Sequence, residues 1–333
     1  MRVLYMGSPL EAIPPLRKLC ELHAQQQIDL VAVVSSSKPN LSTLPADDCS
    51  SVADYALTHN LQLFCPPRAS DAEFIKQLQT LEIDVILTAA YGQLLSDGFL
   101  RTAKRATINI HPSLLPRHRG ASPVPAALLA GEQETGVTIC FTVKELDAGN
   151  IIIQERLPIP ADTNHKQLLT SLFALGAQIL PAALAKLQNP DYIGTPQDQS
   201  RVTKCYKIKK SDGAIDWQWH ATAIYRRYLA FSDWPEIFTY WNGKRVILKR
   251  ITLAQQEHRP PTSASQQAQA CGDFVVAKQD AGGEKVLRVN TGEGTLNIHA
   301  LQVEGKSITT ATAFANRVQQ QNCYRFGGSK AGT

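Results

Sequence analysis

Two hydrophobic periods alternate along the first part of this chain, and each change of period predicts a new element. Residues 1–9 form an apolar run closing on Gly7-Ser8-Pro9, which reads as a buried first strand ending in a turn. Ile13, Leu16, Leu19 and Leu22 then recur at helical spacing across residues 10–24. Residues 28–36 are a second strand, 51–59 a second helix and 61–67 a short third strand. Ser70 reads as an N-cap, with Glu73 three residues on to complete a capping box. Residues 83–92, IDVILTAAYG, are a fourth, fully buried strand. Thr107, Asn109 and His111 alternate with Ile108 and Ile110, so the next strand runs to His111, where Pro112 ends it. A short helix over 122–131, strands near 137–143 and 151–159, and a long helix over about 165–187 follow. Strand alternating with helix predicts an α/β fold: a Rossmann-like, mostly parallel sheet with helices on both faces.

The pattern changes near residues 205–210, after a linker rich in turn residues. One helix at about 221–231 is followed by strands: a hairpin over 237–253 turning at Asn242-Gly243, then 273–279 and 285–302, and a short helix near 311–319. Several short strands with glycine turns predict a small OB-like β-barrel. The expected domains are 1–204 and 205–333, with the Gln/Ser-rich stretch 254–272 a mobile loop and disorder after about residue 327.

Composition adds bounds. A chain of 333 residues, 44% hydrophobic and 19% charged, fits a soluble two-domain protein. Seven scattered cysteines without CxxC or Cys/His spacing predict reduced thiols and no zinc site. No apolar run approaches the about 20 residues that span a bilayer, and Met1–Met6 leads into a turn rather than a signal peptide. A cytoplasmic monomer with no membrane partner is therefore expected. Charge is unevenly placed: from Lys204 onward there are 18 Lys and Arg against 10 Asp and Glu, whereas the preceding 203 residues hold 16 against 19. Two readings fit a basic carboxyl-terminal part, a surface that meets a polyanion or a solvated surface kept basic for solubility.

Candidate chemistry concentrates in residues 107–124, TINIHPSLLPRHRGASPV. Asn109 and His111 share a strand face at its carboxyl end, where open α/β sheets bind ligands. Downstream, the strand near 137–143 leads to a turn carrying Asp147. An acid–base group of Asn, His and Asp fits this spacing, and so do a capping Asn, a satisfied His and an ordinary Asx turn. Gly7-Ser8-Pro9 carries neither GxGxxG nor GxxxxGK[ST], which excludes dinucleotide and ATP loops of those types. Ala89-Ala90-Tyr91-Gly92-Gln93-Leu94-Leu95 leaves the fourth strand either as a pocket lining or as a helix start packed on the sheet.

N-x-H-x-S-L-L-P-x-x-R-G, followed by G-V-T and L-D-x-G, is similar to the signature of the 10-formyltetrahydrofolate-dependent formyltransferases. The matching residues are Asn109, His111, Ser113, Leu114, Leu115, Pro116, Arg119, Gly120 and Asp147. KIKKSDGAIDW (207–217), SDWP (232–235) and LQVEGK (301–306) resemble the carboxyl-terminal domain of the methionyl-tRNA formyltransferases within that group, so the resemblance spans about residues 1–327. It implies formyl transfer from 10-formyltetrahydrofolate to the α-amine of initiator methionyl-tRNA, without a metal. Asn109, His111 and Asp147 would be catalytic. Ala89, Tyr91, Gly92, Gln93 and Leu94, together with Ser113 to Pro116, would line the folate pocket. Arg117, Arg119, Lys207, Lys209, Lys210, Lys244 and Arg245 would meet tRNA phosphates, in line with Lys204, Arg226, Arg227, Lys249 and Arg250; Arg117 and Arg119 could equally meet the folate glutamate tail, and Arg119 would also have an architectural role.

Four places depart from the family pattern. Leu10 and Glu11 replace an acidic residue and Phe. The loop 34–50, usually basic and glycine-bearing, holds one Lys, two Asp and no Arg or Gly. His118 stands where Trp or Tyr is usual, and Glu145 where Gly is frequent. They keep open a sugar-nucleotide N-formyltransferase and a non-catalytic RNA-binding protein as alternatives.

Overall fold

A computed structural model describes residues 1–36, 51–254, 270–278, 285–321 and 324–327. The readings of the 34–50 loop past residue 36, of the Gln/Ser-rich loop between 255 and 269, and of the tail past 327 lie outside the described residues. The chain forms two compact units. The first comprises Met1–Ala127, Glu132–Ala161 and Gln167–Lys207; the second comprises Leu128–Gly131, Asp162–Lys166 and Ile208–Thr333.

The first unit is a seven-stranded sheet in the order β3-β2-β1-β4-β5-β7-β8. Its strands are β1 (Arg2–Gly7), β2 (Asp29–Val34), β3 (Leu63–Phe64), β4 (Val85–Ala89), β5 (Ala106–His111), β7 (Glu134–Phe141) and β8 (Ile151–Pro158). β1 to β5 pair in parallel, and β7 and β8 extend the sheet antiparallel. A separate two-residue pairing joins β6 (Arg119–Gly120) to β9 (Lys204–Cys205). The helices are α1 (Ile13–Ala24), α2 (Val52–Thr58), α3 (Ala72–Gln79), α4 (Asp97–Leu100), α5 (Pro123–Ala130) and α6 (His165–Lys186).

Periodicity explains these elements. α1 buries Ile13, Leu16, Leu19 and Leu22, and Pro14 and Pro15 fall in its first turn, where no backbone N–H is missed. β1 and β4 bury every residue but Arg2, as central parallel strands do. Leu4, Met6, Val34, Ile86, Phe74 and Phe99 share one core cluster. One expectation needs correction. The capping box at Ser70 does not form, because α3 starts one residue later, with Asp71 at the N-cap and no side-chain cap bond. α6 is, by length and composition, apolar enough to cross a membrane, although uninterrupted apolar runs are short. Its Leu, Ala, Ile and Phe residues make it apolar overall, while Gln167, Thr170, Ser171 and Gln178 break each run. Its face belongs to the core: a Cβ on Gly176 would lie 2.8 Å from Ile110 and 3.4 Å from Val137.

The second unit is antiparallel. β10 (Phe238–Trp241), β11 (Lys244–Leu253), β14 (Thr295–Val303), β13 (Lys285–Asn290) and β12 (Phe274–Lys278) lie in that order, with β15 (Thr309–Thr310) on β14. Asn242 and Gly243 turn the first hairpin with φ of 47° and 73°, the paired positive angles that match strand twist. α7 (Ala221–Ala230) and α8 (Ala311–Gln321) complete it. An aromatic cluster fills its core, with Phe274 and Phe326 centroids 4.6 Å apart and Trp241 and Phe314 4.8 Å apart. The α/β-plus-β class is the expected one.

Candidate active site

β4 and β5 end side by side. Their register sets Thr88 opposite Asn109, and the period of two puts Asn109 and His111 on one face of β5. Thr88 Oγ1 donates to Asn109 Oδ1 at 2.8 Å, which turns the amide so that Nδ2 faces Asp147 Oδ1 at 3.5 Å. Asp147 sits in a turn after β7 with φ of 54°, a left-handed conformation that few non-glycine residues adopt. Gly120 N–H donates to its Oδ2 at 2.9 Å. His111 Nδ1 lies 3.6 Å from Asp147 Oδ1, with the two side chains only 4% and 8% exposed. The three residues do converge.

The proton on His111 follows from its partners. Its Nε2 is 3.0 Å from the His118 carbonyl, which can only accept, so Nε2 carries hydrogen. In the neutral ring Nδ1 is then the lone pair, and it faces the Asp147 carboxylate. Burial, with the negative charge of Asp147 adding, pushes the neighbouring Cys140 thiol well above its ordinary value, so it stays a thiol beside the site.

The loop after β5 is fastened from behind. Thr138 Oγ1 donates to Ser113 O at 2.6 Å and accepts from Leu115 N–H at 3.1 Å. Gln154 Nε2 donates to Leu115 O at 2.7 Å, and Ser113 Oγ to Arg117 O at 2.7 Å. Ser113 and Leu115 are buried, Leu114 packs over Gly136, and the bond from Leu115 to Pro116 is cis. At the end of β4, Ala89 is buried, Ala90 and Gly92 have positive φ, and Leu94 is 81% exposed. Among the described residues nothing lies within 4 Å of where a Gly92 Cβ would stand. Gln93 is turned away: its Oε1 accepts from Ala69 N–H at 2.9 Å and its Nε2 donates to Pro67 O at 3.4 Å.

The cations divide. Arg117 pairs with Glu132, which also meets His118 Nε2 at 2.8 Å. Arg119, expected at a phosphate, is buried, and its Nε is spent on Gln197 Oε1 at 2.9 Å. Lys207 belongs to the first unit and is exposed, as are Lys209, Lys210 and Lys244 in the second. Arg245 stacks its guanidinium 4.0 Å over the Phe238 ring. Thr88, Thr138, Gln154 and Gln197, which support the site, carry no motif of their own. Among the described residues no group of three or more His, Cys, Asp or Glu is placed to hold a metal ion.

The formyl transferase family profile matches residues 3–184, and the profile of the formyl transferase C-terminal domain matches 207–319. A methionyl-tRNA formyltransferase of Synechococcus sp. (strain JA-3-3Ab) is 35% identical over 331 residues, 98% of either chain. One from Treponema pallidum (strain Nichols) is 32% identical over 309 residues, 92% of this chain and 93% of that one. Among solved structures the fold is similar to WlaRD, a sugar 3N-formyl transferase, with a TM-score of 0.61 at 18% identity, covering 92% of this chain and 99% of that one.

Proposed function

The chain belongs to the formyl transferase family, and on that premise we propose that it transfers the formyl group of 10-formyltetrahydrofolate to the α-amine of initiator methionyl-tRNA, with Asn109, His111 and Asp147 at the reacting centre. The observation that carries the catalytic assignment is their convergence at the carboxyl ends of β4 and β5, with the amide oriented by Thr88 and the imidazole by the His118 carbonyl.

The folate supplies an activated formyl carbonyl. The strand-end segment suits its flat ring: Ala89, Ala90 and Gly92 are small, and the space beside Gly92 is open among the described residues. Asn109 directs one N–H toward Asp147 and keeps a second to donate to the formyl oxygen, where negative charge grows as the amine adds. The amine nitrogen becomes acidic as it bonds to carbon, and His111 Nδ1 is the lone pair placed to take its proton. Asp147 Oδ1 faces the resulting imidazolium. From there the proton returns to the departing N10 nitrogen. His111 can donate to the formyl oxygen through Nδ1 only when the ring is charged, since Nε2–H is held by the His118 carbonyl.

The exposed lysines at 207, 209, 210 and 244 support docking of the acceptor arm through its phosphates, in a monomer working in the cytoplasm. A sugar-nucleotide acceptor is the second reading, supported by the fold shared with WlaRD at 18% identity and by the departures at Leu10, Glu11, His118 and Glu145, against 32% and 35% identity to relatives named for methionyl-tRNA. The test is transfer from 10-formyltetrahydrofolate to Met-tRNA, with an aminosugar nucleotide in parallel. Wild-type protein should formylate Met-tRNA alone, and His111→Ala or Asp147→Ala should lose most transfer while staying folded. Near-normal rates in either variant would remove the catalytic assignment.

A further inference from the structure

We propose that Gln197 is a positioning residue for Asp147: its side-chain amide clamps the backbone on both sides of the Asp147 turn and ties that clamp to the buried guanidinium of Arg119. The proposal rests on the reading that Asp147 serves the transfer.

The turn needs outside support. Asp147 has φ of 54°, and two residues on the chain runs so close to β7 that a Cβ on Gly149 would lie 1.9 Å from Phe141 O. A left-handed aspartate persists where its surroundings over-determine it. Gln197, 6% exposed, supplies that determination. Its Nε2 donates to Asp147 O at 2.8 Å and to Gly149 O at 2.7 Å, so both amide hydrogens bracket the turn. Its Oε1 accepts from Arg119 Nε at 2.9 Å.

Arg119 closes the circuit. It precedes Gly120, whose N–H holds Asp147 Oδ2. The 119–120 segment therefore fixes the carboxylate directly and the carboxylate's backbone through Gln197. The Arg119 side chain is 4% exposed, and its Nη2 has no partner among the described residues. A buried cation with an unsatisfied nitrogen is retained at a cost, which a role in aligning the site explains better than one in stability. Gln197 is itself presented by an ordered stretch. Thr195 and Ile151 exchange backbone hydrogen bonds at 2.8 Å, and Asp198 Oδ1 accepts from Ser200 N–H at 3.0 Å. No other neutral side chain of this length offers two N–H donors and an acceptor: Asn is too short, and Glu cannot donate to carbonyls.

A misplacement of about 1 Å at a reacting group costs on the order of 10²-fold in rate. Gln197→Leu removes the whole clamp. Gln197→Glu keeps the partner of Arg119 but removes both donors to the turn. Either variant is expected to lower kcat by about 10- to 100-fold, with KM for both substrates within about twofold. Hydrogen exchange of the Gly120 amide, measured on the protein alone, should speed up, because that proton reports where the Asp147 carboxylate sits. In an Asp147→Asn background neither substitution should lower kcat further, since residues acting through one group are not additive. Wild-type kcat in folded Gln197→Leu overturns the proposal, as does a loss that adds in full to that of Asp147→Asn. If Gln197→Leu does not fold, Gln197→Glu decides by the same readouts. Undiminished transfer by Asp147→Asn alone would instead sink the site reading on which the proposal rests.

Discussion

Thr88→Val separates orienting an oxyanion donor from providing one. Thr88 is 6% exposed on β4, and its hydroxyl divides between Asn109 Oδ1 at 2.8 Å and Ile108 O at 3.2 Å. Valine keeps the shape and removes the one proton that favours Oδ1 on that side. The amide retains a second restraint, because a flip would set Oδ1 against Asp147 Oδ1, now 3.5 Å from Nδ2. That restraint limits how far the orientation is lost, and the expected cost is that of one net hydrogen bond, about 1 kcal/mol. That corresponds to about a fivefold fall in kcat, since about 1.4 kcal/mol is tenfold. Removing the donor itself, as in Asn109→Ala, should cost about 10²- to 10³-fold. Stability should change little, because a buried methyl offsets the hydroxyl's bond; a Tm shift within about 4 °C is expected. The assay is steady-state transfer at saturating Met-tRNA and folate, with thermal unfolding alongside. An unchanged kcat would refute the orienting role. A loss as large as that of Asn109→Ala would refute the claim that Asp147 holds the amide when Thr88 does not.

Three further outcomes are expected. Gly120→Ala sets a Cβ 2.0 Å from Cys205 O at φ of 126°, so β6 and β9 must part; backbone strain alone should cost about 1–3 kcal/mol, read as a lowered Tm together with lost transfer. Tyr91 has a buried hydroxyl without a partner among the described residues, and burial, with Cys65 adding, pushes its pKa up to about 12. Tyr91→Phe should therefore raise stability by up to about 1 kcal/mol and leave the KM for folate unchanged; a raised KM would show that the hydroxyl meets the substrate. Lys244→Ala should reduce the slope of log affinity for tRNA against log salt by about one while leaving folate binding salt-independent, and an unchanged slope would free Lys244 of any phosphate contact.

The α/β half was legible because its core strands are apolar throughout and its helices repeat at 3.6, so that each element carries its own signal. Asn242-Gly243 was legible for a different reason: only such residues accept the two positive φ angles of a tight hairpin. β6 and β9 were not, since a pairing two residues long has no period, and it exists only where Gly120 lets Cys205 O approach. The capping box at Ser70 misled because the helix began one residue later than the local chemistry suggested.

The site divides along the same line. Asn109, His111 and Asp147 stand out because they match the family signature; their spacing on one strand face and one turn fits a capping Asn, a satisfied His and an Asx turn as well. Arg119 illustrates the opposite case. Its charge beside the motif suggests a phosphate and its place in the signature an architectural role, and burial with Gln197 turns the guanidinium inward, to the scaffold of Asp147. Thr88 and Gln197 are silent in the sequence for the same reason. A hydroxyl or an amide becomes a positioning group through what lies within 3 Å of it, and Gln197 lies 50 residues from the turn it holds. What a sequence withholds about such a site is therefore chiefly its second layer: the groups that decide which way the amide faces and which nitrogen of the imidazole is free. In this fold those choices fall to Thr88 and to the His118 carbonyl. Substitutions there should change rate far more than they change stability.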